Sequence, residues 1–187
     1  MFEIIDTTFS PIKTVRLDDR GDFRPCSTGL DIDNLKVRTM MERIEANHAN
    51  DQEIVASAAH ADKEIALENA WQEAIERISL AAWWALDRPF LAKFSDDTVE
   101  KIVRNHKIEI PESFSVRVGL VESVNPDYKI ACSIISNESD YPFAVLGGGC
   151  SKNAMQTAEK AIYESMQSWT ATNWIDSHQN TESKVYW

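Results

Sequence analysis

Four side chains carry most of the chemistry this sequence offers: Glu73, Glu76, Glu164 and Gln167. Each pair is spaced three residues apart, which puts both members on one face of a helix. A carboxylate face of this kind suits Mg2+, a hard cation that takes a few carboxylate oxygens and completes its shell with phosphate and water oxygens. Two such faces set against each other would hold metal ions bridging a nucleotide triphosphate. The two faces also share a pattern. Superposing Glu68 on Glu159 brings Ala70 onto Ala161, Glu73 onto Glu164 and Trp83 onto Trp174, while Glu76 meets Gln167 and Ala56-Ser57-Ala58 meets Gly147-Gly148-Gly149. The chain therefore reads as two related strand–turn–helix units about a pseudo-twofold axis.

On a helical wheel, at about 100° per residue, Leu67, Trp71, Ala74, Ile78, Ala81 and Ala85 share one stripe of the first helix. That stripe is the expected core face. Asn69, Glu73, Glu76 and Leu80 lie nearly opposite. In the second helix Ala158, Ile162, Ser165 and Trp169 form the core stripe, with Lys160, Glu164, Gln167 and Ala171 opposite. Outward acidic residues are ordinarily just solvated, and Arg77 stands where it makes a plain helix pair with Glu73. Two features argue for more. Leu80, Ala82, Trp83 and Trp84 put apolar groups on nearly every side, so the second half of this helix is expected to be buried all round. Ala161 to Trp174 is also apolar, small and aromatic. Glutamates at the edge of such helices face a cleft and need a counter-charge.

The elements that must position these residues follow from caps, breakers and periodicity. Phe2 to Leu17 reads as one or two strands broken at Pro11. Arg16 to Gly29 reads as loop with a short strand. Asp33 or Asn34 caps a helix to Ala49 with Leu35, Met40, Met41 and Ile44 as its apolar stripe. A short strand is expected over Glu53 to Ser57. Asp62 caps a long helix to Leu86, stopped by Asp87-Arg88-Pro89, and Ser95 caps a third, Asp97 to His106. Strand-like segments follow at Phe114 to Val124, Lys129 to Ser136 and Phe143 to Leu146. Gly147-Gly148-Gly149 then leads into a last helix, Asn153 to Ile175. The expected organisation is one α+β domain over residues 1–176, with mixed or antiparallel sheets and long helices, and a polar tail over 177–187.

Composition narrows the function. The 187 residues carry a net charge of −11 with 43% hydrophobic content, which fits a globular chain and makes it a poor general binder of nucleic acid. No apolar run reaches bilayer length, and Met1-Phe2-Glu3 does not open a secretory signal. The three cysteines, Cys26, Cys132 and Cys150, lack metal spacing, so a reducing cytoplasm is expected, without membrane or nucleic-acid partners. Lys13, Arg16, Arg20 and Arg24 are the best basic cluster and could reach phosphates, although solvated loop charges are the commoner outcome. Arg77 is either a helix partner or a phosphate ligand. Lys152 and Lys160 flank the start of the last helix, where surface lysines are common. Gly147-Gly148-Gly149 is not a Walker loop, and its glycines fit close backbone approach. No His stands ready to activate Cys150, which reads as an inert thiol. No catalytic residue is assigned.

The residues Gln72-Glu73-Ala74-Ile75-Glu76-Arg77, followed by Ser79, resemble the E-x-x-E-R helix of YcaO proteins. Gly147-Gly148-Gly149 with Ala158, Ala161 and Glu164-Ser165-Met166-Gln167-Ser168 resembles that family's second helix. The resemblance covers residues 50 to 175. It implies a YcaO-like fold with ATP and Mg2+ between the two helices, metal held by Glu73, Glu76, Glu164 and Gln167, and Asn69, Arg77, Lys13 and Arg16 as further cofactor contacts. It also implies ATP-dependent activation of a backbone amide in a ribosomally made peptide, giving azolines or thioamides, with a partner that presents the peptide. A homodimer in which one chain completes the other's site is a further expectation. The alternative is a non-catalytic YcaO-like scaffold that binds a peptide or a partner enzyme. Family members are commonly longer and azoline-forming ones have a proline-rich C-terminus, which is not present here. Asn69 stands where a small hydroxyl residue is common, and Trp169 where an Arg often follows the Gln.

Overall fold

The structure is a computed structural model and describes residues 1–17, 26–49, 56–139 and 142–178. Strands β1 (Phe2–Asp6), β2 (Lys13–Leu17) and β3 (Cys26–Gly29) form an antiparallel sheet in chain order. Helix α1 (Ile32–Ala49) follows. Its cap is Asp31, earlier than expected: Oδ1 accepts from the N–H groups of Asp33 at 3.0 Å and Asn34 at 3.2 Å. The apolar stripe of α1 is only partly used. Leu35 and Thr39 are buried, and the Thr39 hydroxyl donates to the Val15 carbonyl at 3.0 Å, while Met40 and Ile44 stay exposed.

Strands β4 (Ala92–Lys93), β5 (Ser115–Val121), β6 (Lys129–Ser136) and β7 (Ala144–Ser151) form a second antiparallel sheet, with β7 at one edge. The small-residue turn expected before the last helix is instead a strand, because Gly147, Gly148 and Gly149 lie inside β7. The reason is helix α4 (Ala154–His178), which lies backbone-on-backbone against that strand. A Cβ at Gly147 would sit 2.1 Å from the Ser165 nitrogen, and one at Gly149 would sit 2.2 Å from the Thr157 carbonyl oxygen. Asn153 caps α4, its Oδ1 accepting from the Met155 and Gln156 N–H groups.

Helix α2 (Lys63–Ala85), capped by Asp62, covers the opposite face of this sheet. Strand alternation divides the core accordingly. Ala131 and Ile135 of β6 pack toward α4 with Ala158, Ala161, Ile162, Met166 and Trp169, a cluster that also takes in Val99 and Ile102 of α3 (Asp96–Asn105). Ile130 and Cys132 pack toward α2 with Ile75, Leu80 and Trp83. The expected core stripe of α4 is thus correct. That of α2 is not: Leu67 is 70% exposed, Trp71 54% and Ile78 48%, and Ala81 and Ala85 are exposed too. Ile75 and Ser79 are buried instead, and the Ser79 hydroxyl accepts the Val124 N–H at 3.1 Å. Burial all round the second half fails as well, since Trp84 is exposed while Trp83 stacks on Phe90. With apolar residues on two sides of α2, the wheel has no unique inward face. The sheet takes the side that brings Glu76 to the β7 edge.

Among the described residues no helix is long and apolar enough to cross a membrane. Most of the strand expected over Glu53 to Ser57, the arginines Arg20 and Arg24, and the chain beyond 178 lie outside the described residues. Helix α4 reaches His178, past the expected start of the tail.

Candidate functional site

The free edge of β7 runs between α2 and α4, and α1 with the Gly29–Asp31 segment closes the far side. The cleft so formed has a volume of about 1110 Å³ and is lined by Glu73, Glu76 and Arg77 of α2, Glu164 and Gln167 of α4, and Gly148 of β7. The two acidic faces read from the sequence therefore converge. Around Gly148 the approach is close: a Cβ there would sit 2.6 Å from Glu76 Oε1 and from Leu80 Cδ1. The Gly148 N–H, an edge-strand donor, is accepted by the Glu164 carboxylate. Lys160 Nζ donates to the Cys150 carbonyl of β7 at 2.9 Å and to Gln72 Oε1 of α2 at 3.1 Å.

Three of the acids that line this cleft, Glu73, Glu76 and Glu164, are harder to ionise than usual. Burial pushes Glu76 up to about 8, helped by the charge of Glu164 and opposed by Lys160. Glu164 opens onto the cleft, yet the walls around it strip enough water to hold it at about 7, against the lowering effects of the Gly148 N–H and Arg77. Burial also raises Glu73, which accepts the Ser57 N–H and pairs with Arg77, both of which lower it. Arg77 is both helix partner and cleft residue.

The sequence reading missed the contribution of α1. Glu42 lines the cleft and is raised by burial and then by repulsion from Glu73. Glu45 is raised to about 7, mainly by burial, and accepts the Ala59 N–H at 2.5 Å. The available signal was the polar stripe Arg38, Glu42, Glu45 at helical spacing, passed over because α1 was read for its apolar residues.

Other expected residues lie elsewhere. Asn69 is exposed on α2 outside the cleft lining. Lys13 pairs with Asp6 and Arg16 with Glu3, both across the β1–β2 ladder and away from the cleft lining. Gln167 lines the cleft while its Nε2 donates to the Cys26 carbonyl at 3.3 Å, tying α4 to β3. Trp169 is core, packed edge-on against Phe114. Burial raises the Cys150 thiol to about 11, which fits the inert reading. Lys152 lies over the Tyr128 ring, 5.4 Å from its centroid, and lines the cleft with Lys160. Among the described residues no three His, Cys, Asp or Glu side chains form a ready metal cage.

An α+β chain with two antiparallel sheets and two long helices flanking a carboxylate-lined edge has the fold of YcaO proteins. It is similar to the structure of YcaO from Methanopyrus kandleri bound with AMPPCP and Mg2+, with a TM-score of 0.70 and 14% sequence identity over 91% of this chain. It is similar also to the E. coli microcin synthetase McbBCD complex, with a TM-score of 0.71 and 10% identity over 96% of this chain. The chain spans 63% of the length of the first and 68% of the second. No protein-family model and no curated protein matches the sequence.

Proposed function

We propose that the cleft binds ATP with Mg2+ and that the chain serves ATP-dependent activation of a peptide backbone amide, as an enzyme or a subunit of one. One observation carries this reading: carboxylates from α2 and α4 line one cleft, and burial raises all of Glu73, Glu76 and Glu164. Such a cluster is short of positive charge, and a hard cation supplies it. The donor set suits Mg2+ shared with phosphates better than a protein-only cage, since phosphate and water oxygens complete the shell. Glu73, Glu76 and Glu164 would hold the metal with the Gln167 carbonyl. Arg38, Arg77, Lys152 and Lys160 line the same cleft and would orient phosphate oxygens. When bound, ATP with Mg2+ supplies the phosphoryl group that turns an amide oxygen into a leaving group.

The AMPPCP and Mg2+ of the Methanopyrus kandleri protein and the multi-protein nature of the microcin synthetase support, by likeness of fold, a nucleotide site and a partner that presents the peptide. Cytoplasmic location suits three unpaired cysteines. Calorimetric titration with ATP and Mg2+ tests the reading. Submillimolar binding is expected, weakened about tenfold or more by Glu73→Gln and by Glu164→Gln. No binding at millimolar ATP rejects it. The alternative, a non-catalytic peptide-binding scaffold, predicts peptide binding that is indifferent to ATP.

A further inference from the structure

A second cavity, about 160 Å³ in volume, adjoins the acid cleft on the α2 side of the sheet. Leu80, Trp83 and Trp84 of α2, Cys132 of β6 and Leu146 of β7 line it, and it shares Gly148 and Glu164 with the cleft. Apart from the Glu164 carboxylate its side chains are apolar, and Trp84 and Leu146 are exposed. Beside this cavity the edge of β7 is unfinished. Successive residues of an antiparallel edge strand turn their N–H and C=O groups alternately toward the neighbouring strand and away from it. In β7 the even-numbered residues turn away: the Gly148 N–H goes to Glu164, and the Cys150 carbonyl accepts Lys160 Nζ. Leu146 is in the same phase, and among the described residues its N–H and C=O meet no partner. We propose that an extended peptide adds to β7 at Leu146 and seats one apolar side chain in this cavity.

The edge and the cavity define the occupant together. A free N–H and C=O on one edge residue are completed by a main chain in extended conformation, and the pockets beside the edge then choose its side chains. A peptide residue paired with Leu146 points its side chain to the same face as Leu146. That is the α2 face, which Leu146 shares with its cross-strand neighbour Ile134 and where the cavity lies. An apolar cavity of about 150 Å³ holds a benzene ring, so a Leu, Ile, Met or Phe side chain fits this one. An acidic side chain would meet the Glu164 carboxylate.

The added ladder ends at Gly148, whose N–H Glu164 already holds. At roughly 3.4 Å per residue, Gly148 is about 7 Å along the strand from Leu146. The peptide amide two residues from the seated side chain therefore comes to the meeting point of Glu76 and Glu164. The cavity thus selects the residue near the amide to be modified. This last step rests on the function proposed above, whereas the docking itself does not.

Nuclear magnetic resonance titration of the whole chain without nucleotide tests this, with the blocked peptide acetyl-Gly-Ser-Ser-Leu-Ser-Ser-Gly-amide as the probe. The Leu146 amide and the Trp84 indole signals should shift together, with a dissociation constant of about 1 mM. Replacing the probe's leucine by serine or aspartate should weaken binding at least about tenfold, the effect of losing one buried leucine side chain. Methylating the nitrogen of that leucine removes the N–H offered to the Leu146 carbonyl and should weaken binding about threefold or more. These arms leave the protein unchanged, so no folding defect can imitate them. Trp84→Ala, at an exposed position, should weaken binding too. No shift at about 10 mM probe, shifts that leave the Leu146 amide unmoved, or equal affinity for the leucine, serine and N-methyl probes overturns the proposal. A chain that fails to bind ATP can still pass this test, and a chain that fails this test can still bind ATP, so the two readings fall separately.

Discussion

Glu76 and Glu164 belong to helices on opposite faces of one sheet, yet both close on Gly148. Glu76 lies over the space a Cβ would take, and Glu164 accepts the Gly148 N–H. The edge strand is thin enough at its glycines for two acidic helices to meet around it, and their charges oppose one another there.

The three glycines of β7 should therefore respond differently to alanine. None has a positive φ, so the cost lies in contacts alone. At Gly147 and Gly149 the added carbon meets backbone atoms of α4, which cannot swing aside. Those variants should lose about 1–3 kcal/mol or more, read as an unfolding midpoint. At Gly148 the carbon meets the ends of Glu76 and Leu80, which can move. Gly148→Ala should fold with a smaller loss and show its defect in Mg2+–ATP affinity, because Glu76 is displaced.

Stability without ligand should fall as pH rises. Glu76 and Glu164 have an ordinary value of 4.5 and are raised to about 8 and about 7. The folded state therefore holds their protons more tightly than the unfolded chain, and their contribution is complete below about pH 4.5 and lost as pH rises through 7 to 8. Because the two acids repel one another, they titrate as a pair. Urea midpoints between pH 5 and 8.5 should show the fall, and Glu76→Gln should flatten its upper part. At pH 8.5 that variant should melt higher than the parent, by about 2–4 °C for each kcal/mol relieved.

Metal binding should release protons. Carboxylates coordinate Mg2+ in their ionised form, and at pH 7 Glu76 is mostly protonated. Calorimetry with Mg2+ and ATP in two buffers of different ionisation heat should report roughly one proton released. The melting temperature should rise with ligand concentration, and chelation by EDTA should reverse the rise. A proton count of zero would place the metal away from Glu76.

How much of this was legible in the sequence depended on which side of a helix carries a unique message. In α4 one side is apolar and the other polar, so Ala158, Ile162 and Trp169 could be set in the core and Glu164 on the cleft. In α2 both sides carry apolar groups, and periodicity chose Leu67 and Trp71 over Ile75 and Ser79. The carboxylate spacing survived that error, because Glu73 and Glu76 share a face whichever way the helix rolls. Glycine runs read as loops, so β7 was shortened, although close backbone approach was the correct reason for its glycines. Glu42 and Glu45 share a polar stripe with Arg38, but its meeting with Glu73 depends on how α1 docks, which the spacing alone does not encode.

Lys160 offers the sharpest test of the cleft's electrostatics. Its ammonium joins three elements, starting from α4 and reaching Cys150 of β7 and Gln72 of α2, and its charge lowers Glu76. Lys160→Met keeps the aliphatic stem and removes the charge. At pH 5 Glu76 is neutral, so only the hydrogen bonds are lost, about 0.5–1.5 kcal/mol each. At pH 8.5 the attraction to ionised Glu76 is lost as well, and the variant should be weaker still. The penalty should therefore grow with pH, and it should stop growing when Glu76→Gln is added. Lys152→Met is the control: Lys152 lies over the Tyr128 ring and has no contact with Glu76 to lose, so its smaller effect should be the same at both pH values. Urea midpoints at pH 5 and 8.5 for the parent, Lys160→Met, Glu76→Gln, their double variant and Lys152→Met decide the matter. A Lys160→Met penalty independent of pH would mean that Glu76 does not feel the lysine, and the coupled cleft described above would be wrong.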